Sequence, residues 1–368
     1  MGEIKEIKRA SRIVVSVFIA IALVYAVYFM PLPLFIFSAG TAEVIQPMVQ
    51  VKQDTQEKQG AFMLTTVRVS NASVFSYLMS FVRPYDELRR KAELLREDES
   101  EQEYTQRQEV SMLTSQSSAI QAAYHTLGIP YRISNDGVVI VQIYKEFPAS
   151  EVLEAGDFIV KVNDQPILLS EELQKQLQGK KAGETVSVAY KRKNITRTAD
   201  IKLALLPIEK GAAPVKDEDR RAGLGVVPAN VQSVKTDQED KQVTIKAGEI
   251  GGPSAGLMFS LEIVNRLSLD DISKGYKIAG TGTIDEKGTV GVIGGIQHKV
   301  IAADKAGAEI FFAPKDYISP KGEKIPNYSD AVQRAKDINT SMKIVPVATL
   351  DEALQYLKAL PLKDADKS

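Results

Sequence analysis

Two glycine-rich segments hold the residues whose types and spacing could do chemistry. The first, Gly251-Gly252-Pro253-Ser254-Ala255-Gly256, lies between a strand-like run and an apolar helical run. Pro253 suits a first helical turn, because the N–H it lacks would have had no partner there. Ser254 then sits at a helix N-terminus, where free N–H groups and the positive dipole end can stabilise an oxyanion. Small neighbours leave room for a carbonyl to approach. A serine in such a place also serves as a helix cap, and Gly-Pro-Ser taken alone reads as one. The second segment runs from Gly280-Thr281-Gly282-Thr283 to Gly294-Gly295-Ile296-Gln297-His298-Lys299-Val300-Ile301-Ala302-Ala303. Lys299, 45 positions after Ser254, falls on an apolar helix. Burial disfavours an ammonium, so a lysine held there loses pKa and, once neutral, can accept the proton of a serine hydroxyl. The alternative is a lysine whose stem packs while its head reaches water. His298 points roughly 100° round the helix from Lys299 and reads as a surface or supporting residue, not the base.

The composition removes the competing chemistries. The 368 residues carry 46 basic and 47 acidic side chains, a net charge of −1, so there is no cationic surplus to hold nucleic acid. Absence of Cys excludes disulfides, thiolate zinc sites and a cysteine nucleophile. His125 and His298 are the whole histidine complement, too few for a His-rich metal site. Neither a cofactor nor a metal is implied. A hydrophobic share of 44% and a charged share of 25% suit a folded chain, and the length suits two or three domains.

The elements that must position these residues follow an apolar start. Ile13 to Met30 carries no charge, and the apolar run continues past Pro31 and Pro33 to Phe37. About 20 helical residues cross a hydrocarbon core. Residues 13–37 therefore read as a transmembrane anchor. Lys5, Lys8, Arg9 and Arg12 precede it, which places residues 1–12 in the cytoplasm and the rest outside. A cleaved signal peptide is the alternative, with Ser38-Ala39-Gly40 as a poor cleavage match. Residues 38–60 read as a stalk. Residues 61–124 read as a strand, Ala61–Ser70, and a charge-dense helix with a solvated face over Tyr85–Tyr124, closed by Gly128 and Pro130. A β-rich module spans 125–207, and a polar linker spans 208–221. Strand and helix patterns alternate over 222–360, with strands expected at 242–247, 276–284, 309–313 and 342–347. Helices are expected there at 254–266, 295–306, 328–338 and 351–357. Residues 361–368 form a tail. The fold class is α+β multidomain.

The module resembles a bacterial PDZ domain through Pro148-Ala149-Ser150, Leu153, Gly156-Asp157-Phe158-Ile159 and Val162-Asn163. That resemblance implies a sheet edge that accepts an extended peptide. Its carboxylate-binding loop would fall at Leu127-Gly128-Ile129, which also reads as a helix C-cap. The two glycine-rich segments, in order and at this spacing, resemble the proteolytic domain of Lon proteases over roughly Ala222 to Thr349. By that resemblance Ser254 is the nucleophile and Lys299 the general base of a Ser-Lys dyad, with Thr281 supporting the lysine. The backbone N–H groups of Ser254 and Gly252 would line the oxyanion site. Departures are Gly251 and Thr283, where Lon proteins carry acidic residues, and no GxxxxGK[ST] is present. Anchor, PDZ and Lon-like domain together resemble the membrane-anchored, PDZ-containing Lon-like serine proteases of Gram-positive bacteria. In that family the segment with Thr65-Thr66-Val67 can belong to the protease domain, making the PDZ an insertion.

The resemblance implies an ATP-independent endopeptidase tethered at the outer membrane face, cleaving short or unstructured chains, with the PDZ selecting substrate or gating access. Its partners would be a peptide or protein substrate and the cytoplasmic membrane, without nucleic acid or ATP; a homo-oligomer is left open. The alternative is a membrane-bound PDZ scaffold whose Lon-like domain no longer cleaves.

Overall fold

The computed structural model describes residues 2–52, 58–207, 220–320 and 322–363. Helix α1 (Gly2–Phe29) stops just before Pro31, as a residue preceding proline is pushed out of the α region. Strand β1 (Pro31–Val44) begins at once. The expected anchor thus ends early: Phe35 and Ile36, apolar enough to extend it, are buried in a sheet instead. Much of the expected stalk is sheet too. β1 pairs antiparallel with β2 (Ala61–Ser73), from Pro31 opposite Ser73 to Val44 opposite Met63. Residues 53–57 of that stalk lie outside the described residues.

Helix α2 (Val74–Ser80) follows, and then β3 (Glu87–Arg90), which pairs with β1 where a continuous charged helix was expected. Helix α3 (Glu101–Leu127) starts where Ser100 and Glu103 form a reciprocal capping box. Its C-terminal half is no solvated face. Ala119, Ile120, Ala123 and Tyr124 are buried, and the small side chains let a second helix approach closely. The Tyr124 hydroxyl is satisfied by donating to Lys241 O and accepting from Val243 N–H.

The module is a five-strand antiparallel path of β4 (Arg132–Ile143), β5 (Phe158–Val162), β6 (Thr185–Arg192), β7 (Ile195–Lys202) and β8 (Val226–Lys235). Its spatial order is β8-β4-β5-β6-β7, and helix α4 (Ser170–Leu177) packs beside β8. Ile140, Leu153, Ile159 and Val188 form a core of its own. The Gly-Asp turn is fixed by Asp157, whose buried carboxylate receives both Arg192 Nε and a terminal Arg192 nitrogen at 2.7 Å. β8 was expected in the α/β domain, yet it pairs with β4 from Val226 opposite Ile143 to Lys235 opposite Arg132. The module therefore reaches Lys235. Of the expected linker, 208–219 lie outside the described residues, as do 364–368 of the tail.

Helix α5 (Gly256–Leu267) is buried over ten of its twelve residues and packs against α3. Strands β9 (Lys277–Gly280), β10 (Ile310–Pro314) and β11 (Lys343–Val347) alternate with helices α6 (Ile296–Lys305) and α7 (Asn327–Asp337). Helix α8 (Leu350–Ala359) closes this region. One six-stranded sheet results, in the order β11-β10-β9-β2-β1-β3. The centres of its parallel strands β9 and β10 are apolar, with Ile278, Ala279, Phe311 and Phe312 all buried, as expected when helices cover both faces. The single strand expected over 276–284 is two pieces. β9 ends at Gly280, and Thr283–Ile284 turns away to pair with Val290–Gly291. β1 and β2 complete the sheet whose other half follows the module, so the module sits between two parts of one unit.

Candidate active site

Ser254 lies on the turn that precedes α5, two residues before the helix begins, rather than as its cap; Ala255 takes that position. The turn is shaped by Gly252 at φ 89°, a left-handed conformation that favours glycine. Helix α3 grips it from one side. Gly252 donates its N–H to Gln108 O at 2.8 Å, and Ser115 Oγ donates to Pro253 O at 2.9 Å. From the other side the break after β9 holds it. Gly282 N–H and Thr281 Oγ1 both donate to Ser254 O, at 2.8 Å and 3.0 Å.

Lys299 sits in the first turns of α6, which starts after Gly295 in the left-handed region at φ 70°. The helix packs across β1 and β2 and sinks Lys299 to 3% exposure. Its Nζ is 3.0 Å from Ser254 Oγ and donates to Thr65 O on β2. Burial pushes the amine from 10.5 down to about 7. An amine so placed is neutral in half of the molecules near pH 7, free to accept the hydroxyl proton of the serine beside it.

The expected site residues divide in this geometry. Ser254 and Lys299 meet. Thr281 is fully buried beside them, but its hydroxyl holds the serine's carbonyl; the lysine is held by Thr65 O instead. Gly252 is not an available oxyanion donor in this conformation, because its N–H is engaged by Gln108. His298 is no surface residue: at 1% exposure its ring lies 3.3 Å from Glu87 on β3, and burial lowers its pKa against the opposing pull of that carboxylate. Gly251 faces α3, where an added Cβ would stand 3.0 Å from Gln108 Cβ. The acidic residue expected there would crowd the helix.

Leu127-Gly128-Ile129 forms the C-terminus of α3. Gly128 is left-handed at φ 65°, Ile129 N–H returns to Tyr124 O at 2.9 Å, and Ile129 is buried in the core under α3. The module's groove lies elsewhere. A cavity of about 1130 Å³ separates α4 from the loop Arg220–Gly225 and the start of β8. Leu173, Leu177, Leu224 and Val226 line it, and β8 is the edge of its sheet. Gly225 at φ 70° turns the chain there, and a Cβ on it would fall 2.0 Å from the Phe147 ring. The sequence signal was Gly223-Leu224-Gly225-Val226, a leucine between glycines opening a strand. A second cavity of about 360 Å³ lies where the two units meet, walled by Val110, Val141, Val227, Ala229, Pro253 and Ile284. β8 thus lines both cavities.

Residues 125–203 match the PDZ domain family, and residues 211–359 match the Lon protease (S16) C-terminal proteolytic domain. Lon protease 1 of Sorangium cellulosum is 33% identical over 147 residues, covering 38% of this chain and 17% of that protein. The Lon protease of Metamycoplasma arthritidis is 33% identical over 106 residues, covering 29% and 11% respectively. The chain thus spans no more than about a sixth of the length of these two proteases. Among solved structures, the PDZ domain of the SdrC-like protein from Listeria monocytogenes is 30% identical, with a TM-score of 0.22, covering 26% of this chain and 92% of that one. The chain carries a PDZ domain and a Lon-type proteolytic domain. Ahead of both stands helix α1, whose Ser11–Phe29 stretch has mean hydropathy 2.3 and no buried residue, a length and composition that fit a membrane span or a signal sequence.

Proposed function

We propose that the protein is a membrane-tethered serine endopeptidase working through a Ser254–Lys299 dyad. The observation that carries this reading is the 3.0 Å contact between Ser254 Oγ and a buried amine whose pKa is pushed down to about 7. Ser254 Oγ attacks the peptide carbonyl while neutral Lys299 takes its proton and then passes it to the leaving amine. Water, deprotonated by the same amine, releases the acyl group. The Ser254 N–H is the donor best placed for the oxyanion; Ser115 holds the carbonyl of its own peptide unit, and Thr281 and Gly282 hold that of the next. No step uses a nucleotide or a metal. An extended peptide pairs with the free edge of β8 and lodges side chains in the groove under α4, which supports substrate selection or gating by the PDZ domain. The apolar α1 and the basic residues before it support a single span with both domains outside.

Hydrolysis of an unfolded protein by the full chain in detergent micelles tests the dyad. Activity is expected to vanish in Ser254→Ala and in Lys299→Ala, and activity that persists in both variants refutes it. A second reading, a PDZ scaffold that binds without cleaving, is favoured by the engagement of the Gly252 N–H by Gln108. A fluorophosphonate probe that labels the wild type and spares Ser254→Ala excludes it.

A further inference from the structure

We infer that α2 and the turn after it form a second contact with the lipid surface, holding the catalytic unit directly against the bilayer. The inference rests on the reading of α1 as a membrane span. Pro31, where the chain leaves α1, pairs across the sheet with Ser73, the N-cap of α2. Antiparallel neighbours lie about 5 Å apart, so α2 must begin at the level where the chain leaves the membrane. The Tyr28 ring near the end of α1 stacks on Phe75 of α2, with centroids 4.5 Å apart. Helix α2 buries none of its residues.

The end of α2 and the turn after it present apolar side chains to solvent. Leu78 on α2 and Phe81 and Val82 in the turn after it are 56%, 70% and 74% exposed. Outside α1, Leu269 and Ile195 are exposed singly, and Tyr317 with Ile318 makes a smaller exposed pair far from α2 in the sequence. Arg83 continues the turn, and Arg89 and Arg90 lie on β3, which α2 touches. Aromatic and aliphatic side chains beside arginines, at the end of a spanning helix, match the chemistry of an anionic lipid interface. A protein partner would need to reach the same patch through the headgroup layer.

The contact fixes the reach of the enzyme. Thr65, whose carbonyl holds Lys299, is eight residues before Ser73 on β2. At about 3.3 Å per residue Thr65 stands no more than roughly 26 Å from Ser73, and the Lys299 amine and Ser254 hydroxyl lie within hydrogen-bond steps of it. The enzyme's substrates are then extended juxtamembrane segments and chains lying at the bilayer surface.

The protein contains no tryptophan, so a single introduced one is a clean reporter. The full chain is reconstituted in phosphatidylcholine–phosphatidylglycerol vesicles as Phe81→Trp, Val82→Trp, Phe18→Trp in α1, or Ile195→Trp on the PDZ domain. Phe81→Trp and Val82→Trp are expected to emit to the blue of Ile195→Trp, to be quenched by lipids brominated near the headgroup, and to lose iodide quenching severalfold. If both emit and quench as Ile195→Trp does while deep-brominated lipid quenches Phe18→Trp, the interface contact is wrong and the span stands. If Phe18→Trp escapes lipid quenching, the span itself is wrong and the inference falls with it.

Discussion

Replacing Lys299 by methionine should stabilise the proteolytic domain at neutral pH while abolishing activity. The wild-type amine is buried, and its pKa falls from 10.5 to about 7 for that reason alone. Between those values the unfolded chain binds a proton that the folded chain does not. Stability therefore rises with pH across pH 7 to 10.5, and below about pH 7 the folded protein carries the full cost of a buried ammonium. A difference of that size corresponds to about 5 kcal/mol, and at 3% exposure solvent screens little of it. Methionine matches the stem and does not titrate. It also leaves Thr65 O without its donor, at a cost of about 1–3 kcal/mol. The variant should thus be less stable than wild type by about 1–3 kcal/mol near pH 10.5 and more stable by about 2–4 kcal/mol at pH 7. Thermal unfolding of both proteins in the same micelles, scanned from pH 6.5 to 10.5, reads the crossing. Other groups titrate equally in the two chains and cancel, and the PDZ transition serves as an internal control. A constant difference across the range, or a variant less stable throughout, refutes a neutral buried lysine.

The same amine sets the rate profile: kcat/KM for peptide hydrolysis should rise about tenfold per pH unit below about pH 7 and level off above it, and a flat profile from pH 5.5 to 8 refutes Lys299 as base. Asp157→Ala removes the buried partner of Arg192 and should cost the PDZ domain about 3–5 kcal/mol in urea denaturation, leaving the transition of the proteolytic domain in place; a loss below about 1 kcal/mol refutes a structural ion pair. Ala229→Phe projects a ring into the 360 Å³ cavity beside Pro253. It should lower kcat/KM about tenfold for peptides with bulky side chains near the scissile bond and spare a small ester, which a uniform loss across substrates would contradict.

The sequence determined the elements whose signals are local. An uncharged apolar run marks α1 though not its end at Pro31, glycines at Gly252 and Gly295 mark the turns that carry Ser254 and Lys299, and the Gly-Asp turn with its following hairpin marks the module. The helices after Ser254 fall within a residue or two of their expected bounds, because each is set by its own apolar face and caps. Tertiary structure decided what depends on a distant partner. Phe35 and Ile36 are as apolar as a membrane segment, and only pairing with β2 and β3 makes them sheet. β8 belongs to the PDZ sheet because its partner β4 lies about 90 positions earlier, a pairing that no local pattern encodes. The groups that hold Lys299 and the Ser254 turn were invisible for a simpler reason. Thr65 and Gln108 act through backbone carbonyls, which every residue carries, and only the fold aims them at Lys299 and Gly252. Side-chain chemistry named the pair, and the distance between them was a property of the sheet and the two helices on which they ride.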